Sequence, residues 1–205
     1  VANRILSVGD PSRAAALAEF LDGECFVLQT NRGFTVYTGL YKGVPVSVIA
    51  IGMGLAMADF FLRECAAIVE GEMAIVRFGT CGTVDARLPI GLLCVADGSV
   101  LIRPNEEAWD AENADKKLPP YHVSQHVVRG DEEIRGLLVE HLKEAVGAEH
   151  VTHGLNATAD SFYASQGRIH SEFDDRNEGL LQQLLHAHPS TRTLEMETYQ
   201  LFHLA

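Results

Sequence analysis

Three short runs of apolar and β-branched residues each end in a glycine-bearing turn, and this pattern narrows the folds open to the chain more than any other feature. Arg4 to Val8 runs into Gly9-Asp10-Pro11-Ser12-Arg13, Pro45 to Ile51 into Gly52-Met53-Gly54, and Met73 to Phe78 into Gly79-Thr80-Cys81-Gly82. Apolar runs this short, with little polar alternation, read as strands covered on both faces. Asp10 is a good N-cap and Pro11 suits the first helical position, so a helix is predicted over Ala14 to Leu21. A confident helical spacing covers Ala56 to Glu70. Cys25 to Gln29 and Phe34 to Tyr41 are further strands, and Lys42-Gly43 is the turn of a hairpin into Pro45 to Ile51.

The second half continues the alternation. Leu92 to Ile102 carries strand signals interrupted by Asp97-Gly98, and Arg103 to Tyr121 is a polar, proline-bearing surface excursion. Glu132 to Ala145 is an amphipathic helix, Val151 to Ala157 a strand, Leu180 to His188 a helix, and Glu195 to Ala205 a helix reaching the last residue. Strands alternating with helices predict an α/β architecture with a covered central sheet. With no internal repeat, low-complexity tract or linker, a single domain over residues 1–205 is expected.

Charge and composition remove several function classes. The formal net charge is −12, which excludes a general nucleic-acid or anionic-membrane binder, so any bound anion must be held by local groups. No apolar run approaches the ~20 residues of a membrane span, and the chain enters its first strand without a charged-then-apolar leader, so the expected compartment is the cytoplasm. Cys25, Cys65, Cys81 and Cys94 form no C-x-x-C pair, which argues against a zinc knuckle or redox motif and fits a reduced compartment. His122 and His126, and His150 and His153, are close in sequence but lack acidic or cysteine partners, so no metal site is expected.

Four constellations carry chemistry. G-D-P-S-R at Gly9 to Arg13 places helix-start amides beside a guanidinium, which suits an oxyanion and equally describes a capped turn with a surface arginine. Arg77 lies inside an apolar strand, where an unpaired charge is costly, so it must be paired or face a ligand. Cys81 beside it is a possible nucleophile if a nearby guanidinium lowers its pKa, although no general base accompanies it. Phe162, Gln166 and Arg168 combine an apolar face, a two-way amide and a fixed cationic donor, the equipment for reading one heteroaromatic ring. In L-E-M-E-T, Glu195 and Glu197 sit two apart at a strand-to-helix junction, and one could point into a site.

Taken in order, G-D-P-x-R at Gly9 to Arg13, R-x-G-T-x-G at Arg77 to Gly82, the stretch Ser161 to Arg168 and E-M-E at Glu195 to Glu197 resemble the nucleoside phosphorylase superfamily, most closely the uridine phosphorylases. The resemblance runs from Val8 to the end of the chain. It implies a mixed central β-sheet, distorted and barrel-like, flanked by helices and assembled as a homodimer or higher homo-oligomer with shared active sites. It also implies reversible phosphorolysis of uridine to uracil and ribose 1-phosphate in pyrimidine salvage. No cofactor is implied, inorganic phosphate being a substrate.

The implied roles follow by position. Phosphate is held by the Gly9 amide, Arg13, Arg77 and Thr80, with Arg32 resembling the arginine given by the neighbouring subunit. Thr80, Met196 and Glu197 serve the ribose, Glu197 accepting from both hydroxyls. Cys81, Gly82, Phe162, Gln166 and Arg168 surround the base, and Gln166 with Arg168 carries the preference for a pyrimidine. Arg77, Arg168 and Glu197 are the catalytic set. The glutamate and serine that hold an interfacial cation in some relatives fall at Gly33 and near Met57, so that metal site is expected to be absent. The family pattern further implies a segment before Val1 that gives a histidine to the partner, a final strand and helix beyond Ala205, and a longer connection than Leu180 to Leu194. The alternatives are a nucleosidase or purine-preferring phosphorylase of the same fold, and a non-catalytic nucleoside-binding protein.

Overall fold

Hydrogen-bond pairing resolves the predicted strands into two sheets. The computed structural model describes residues 1–205 apart from Ala114, and these form two compact units, Val1–Thr80 and Cys81–Ala205. The unit boundary falls within the R-x-G-T-x-G stretch, where no linker composition announces it.

The first unit contains β1 (Arg4–Val8), α1 (Pro11–Ala18), β2 (Asp22–Gln29), β3 (Thr35–Tyr41), β4 (Val44–Ala50), α2 (Leu55–Ile68) and β5 (Ala74–Arg77). Its five strands lie in the order β2-β3-β4-β1-β5. The β2-β3-β4 portion is an antiparallel meander, while β1 is parallel to both β4 and β5. Lys42 and Gly43 both take positive φ, +52° and +76°, which gives the β3–β4 turn the right-handed twist of its strands. The α1 helix begins at Pro11 as its cap predicts and stops before Leu21, leaving Ala14 buried against Val8, Val48 and Ala50.

The second unit contains β6 (Gly82–Thr83), β7 (Leu93–Pro104), β8 (Tyr121–Val123), α3 (Glu132–Val146), β9 (Val151–Ala159), α4 (Leu180–Ala187), β10 (Thr191–Glu195) and α5 (Thr198–His203). Its order is β6-β10-β9-β7-β8, with β10, β9 and β7 parallel and both edge strands antiparallel. The apparent break at Asp97-Gly98 is a bulge within one long strand, because the register with β9 slips between Ala96 and Gly98. Val100, Ile102, Ala157, Leu184 and Leu194 make its buried core.

The α/β class with mixed sheets and flanking helices is as expected, and two features are corrected. In place of one barrel-like sheet there are two open five-stranded sheets, because β2 and β5 end the first and β6 and β8 end the second without pairing onward. The segment from Glu195 to Ala205 is not one helix. Thr191–Glu195 pairs with β9 as a strand, and only Thr198–His203 is helical.

Candidate active site

In sheets of parallel strands, ligands gather beyond the carboxyl ends, where strand runs out into turns. Because β1 lies between β4 and β5 and is parallel to both, three such ends stand side by side in the first unit. Gly52, following β4, donates its amide to the Gly9 carbonyl at 3.1 Å. On the other side Ser7 is in register with Arg77, whose Nη1 lies 3.5 Å from the Ser7 hydroxyl. A Cβ on Gly9 would sit 3.3 Å from the Gly52 carbonyl oxygen and 3.5 Å from Arg77 Nη2, so only glycine leaves this corner open. Gly9 and Arg77, distant in sequence, therefore lie side by side.

The helix start beside them is the capped turn that Asp10 predicts. Asp10 Oδ1 accepts from the amides of Ser12 at 2.8 Å and Arg13 at 3.1 Å, and from the Ser12 hydroxyl. The Ser12 hydroxyl first, and the Arg13 amide next, hold the Asp10 carboxyl below the usual carboxylate range. Two helix-start amides are thus taken by the cap. Thr80 is exposed beyond β5. Arg32 follows β2 in a turn closed by Gly33, and it is engaged elsewhere. Its Nε donates to Glu64 Oε1 at 2.7 Å, and its guanidinium lies 4.4 Å above the Phe60 ring, both residues of α2.

In the second unit Ser161 to Arg168 follows the carboxyl end of β9, and Met196 and Glu197 follow that of β10. These strands are neighbours in parallel, and Gly82 of β6 pairs with Leu194. Arg168 Nη1 donates to Gln166 Oε1 at 2.9 Å, and the same guanidinium lies 4.3 Å over the Phe162 ring. A Cβ on Gly82 would come 3.9 Å from Arg168 Nη2. Gly82, Phe162, Gln166 and Arg168 are therefore one cluster. Gln166 is buried, Phe162 is exposed, and the left-handed Gly167 between them and Arg168 turns the chain. Because arginine only donates, the Gln166 atom facing it is the oxygen.

Several residues behind this cluster have no sequence signature. Asn177 Nδ2 donates to the carbonyls of Ala164 at 2.9 Å and Arg168 at 3.0 Å, and the Ser161 hydroxyl accepts from the Ser165 amide at 2.9 Å. Asn177 looks like an ordinary loop residue in sequence, and only its burial gives it away.

Glu197 is buried at the start of α5, and Met196 beside it is half-buried. Glu195 has its carboxylate among Asn156, Thr158 and the amides of Glu197 and Thr198. Cys81 gains no thiolate character from its surroundings, because desolvation first, and then the Glu195 carboxylate, push its pKa above the ordinary thiol value, which argues against the nucleophile reading.

Comparison with known proteins adds an independent line. The family model described as the phosphorylase superfamily matches residues 3–205. A uridine phosphorylase of Thermococcus kodakarensis is 30% identical over 207 aligned residues, which take in 100% of this chain and 68% of that protein. A DeoD-type purine nucleoside phosphorylase of Streptococcus uberis is 40% identical over 102 residues, but the match takes in only 48% of this chain and 41% of the relative. Among solved structures, one from a study of two uridine phosphorylases of the oomycete Phytophthora capsici superposes with a TM-score of 0.93 at 42% identity, covering 100% of this chain and 74% of that one.

Proposed function

Since the chain belongs to the phosphorylase superfamily, we propose that it is a uridine phosphorylase, a pentosyltransferase of cytoplasmic pyrimidine salvage. The observation that carries the reading is the hydrogen bond from Arg168 to Gln166. With the Gln166 oxygen turned to Arg168, the pair can offer a Gln166 N–H, the Gln166 oxygen and a further Arg168 N–H as donor, acceptor and donor. The edge of uracil offers the complement, O2 as acceptor, N3–H as donor and O4 as acceptor. Full-length similarity to uridine phosphorylases and only partial similarity to a purine enzyme support the same preference.

In this mechanism phosphate is held by the Gly9 amide, Arg13, Arg77 and Thr80, with Arg32 contributed by the neighbouring subunit of a homodimer. The guanidinium forks match a dianion. Glu197 accepts from the ribose hydroxyls and Met196 packs beneath the sugar, while Phe162, Gly82 and Cys81 border the base. As the glycosidic bond breaks, positive charge grows on the ribose and negative charge on the uracil. The phosphate dianion stabilises the first and attacks C1′ from the face opposite the base, and Arg168 stabilises the second. Uridine and phosphate give uracil and ribose 1-phosphate. The protein contributes position and electrostatics, with no covalent intermediate and no cofactor.

The test is release of uracil from uridine with and without phosphate. Release that depends on phosphate, with ribose 1-phosphate as co-product, is expected. Equal release without phosphate would identify a nucleosidase. The partial match to a purine enzyme makes inosine the control substrate, and faster cleavage of inosine than of uridine would overturn the pyrimidine preference.

Sharing of Arg32 between subunits gives a sharper expectation. Arg32→Ala and Glu197→Ala are each expected to be nearly inactive. When the two are mixed, dissociated and reassociated, a hybrid dimer with Arg32 acting in trans has one site with both lesions and one with neither. Random pairing then restores roughly a quarter of the parent activity. If Arg32 serves its own chain, every hybrid site keeps one lesion and the mixture stays inactive.

A further inference from the structure

The two glutamates of L-E-M-E-T have different surroundings, and the difference assigns them different jobs. Glu195 ends β10 with both carboxylate oxygens occupied. Oε1 accepts from Asn156 Nδ2 and Thr158 Oγ1, both at 2.6 Å, and Oε2 accepts from the amides of Glu197 at 2.7 Å and Thr198 at 2.8 Å. The inner partners are themselves fixed. Thr158 Oγ1 also accepts from the Tyr199 amide at 2.8 Å and lies 3.0 Å from the Ser99 hydroxyl, and Asn156 Oδ1 accepts from Thr193 Oγ1 at 3.0 Å. Ser99, Asn156, Thr158 and Thr193 are all buried. All four groups facing Glu195 donate, an arrangement that a carboxylate satisfies in full and an amide only in part.

We propose that Glu195 is a positioning residue for the ribose site, fixing the Glu197 backbone between β10 and α5 and leaving the Glu197 carboxylate alone to meet the sugar. Charge-assisted hydrogen bonds to two consecutive amides fix the peptide that carries Glu197, and the Asn156 and Thr158 contacts tie the same carboxylate to β9. A pair of acidic residues two apart would otherwise suggest two ligands for the sugar. Here the first has no oxygen left to offer one. The inference rests on the assignment of Glu197 to the ribose hydroxyls, and the test separates the two.

The experiment compares Glu195→Ala, Glu195→Gln, Glu197→Ala and the double variant Glu195→Ala/Glu197→Ala, using uridine and 2′-deoxyuridine. Glu195→Ala is expected to lower kcat/KM for uridine on the order of 10- to 100-fold and to leave the KM for phosphate unchanged. The loss on 2′-deoxyuridine should be smaller, so the preference for the 2′-hydroxyl collapses as it does in Glu197→Ala. In the Glu197→Ala background the Glu195 change should add little, since a group acting through another is not additive with it. Glu195→Gln should recover part of the loss, because its amide oxygen can still accept from the Glu197 and Thr198 amides. Equal losses on both nucleosides, or full additivity, would make Glu195 merely structural. A parent enzyme that does not cleave uridine would sink the proposed function and leave the positioning claim to amide hydrogen exchange. There, faster exchange at Glu197 and Thr198 in Glu195→Ala supports positioning, and unchanged exchange overturns it.

Discussion

Arg77→Ala is expected to remove most phosphate-dependent cleavage of uridine while leaving the fold in place. The guanidinium lies beside the Ser7 hydroxyl and against the open corner at Gly9, at the carboxyl end of a parallel strand, where a dianion would be met by a donor of fixed geometry. Losing one charge-assisted contact to a dianion costs about 1.5 to 3 kcal/mol, and more where the phosphate itself stabilises the transition state. The expected loss in kcat/KM for phosphate is therefore at least ~10- to 100-fold. Arg77 is half-buried at the end of its strand, so the denaturant midpoint should move far less than the activity. Arg77→Lys should fall between parent and alanine, because it keeps the charge and loses the fork. Near-parent turnover of Arg77→Ala at ordinary phosphate concentration would remove Arg77 from the phosphate site.

The second large effect is expected at the base. Gln166→Ala and Arg168→Ala should each weaken uridine use far more than phosphate use, because a site that reads polar edges discriminates strongly when a contact is lost. The two should not be equal. Arg168→Ala also strips the cation from the Phe162 face and removes the charge expected to meet departing uracil, so it should lower kcat. Gln166→Ala removes an amide that binds ground and transition states alike, so it should act chiefly through KM. A steady-state comparison of kcat and KM for uridine in the two variants checks this. Variants that both retained parent kinetics on uridine would end the pyrimidine reading.

How far the site could be seen in advance differs between its parts. The G-D-P-S-R turn was legible because capping is local: Asp10 and the amides of Ser12 and Arg13 lie within one turn. The same locality misled the anion argument, since a cap that satisfies those amides withdraws them from a ligand. Arg77 was legible for a different reason, as a charge within an apolar strand demands a partner whatever the fold. Phe162, Gln166 and Arg168 are close enough in sequence to suggest one unit, and the structure brings them into one cluster. Asn177 and Asn156 were not legible, because most of their partners are distant in sequence, 9 and 13 residues away for Asn177 and 39 and 57 for the Glu195 and Ser99 partners of Asn156, and neither residue type signals a buried amide.

By itself the sequence determined the α/β class, most strand and helix positions, the β3–β4 hairpin and the residue types able to hold a phosphate and a pyrimidine. These depend on periodicity, turn chemistry and the cost of an unpaired charge, all of which act over a few residues. The tertiary structure alone decided the division into two five-stranded sheets, the strand β10, and the different roles of Glu195 and Glu197. Strand pairing is a choice among distant partners. Thr191–Glu195 is a strand because β9 lies open beside it, and Glu195 is spoken for because that pairing brings Thr158 and Asn156 against its carboxylate. A carboxylate whose four partners come from one neighbouring strand and a helix start has no local pattern to betray it.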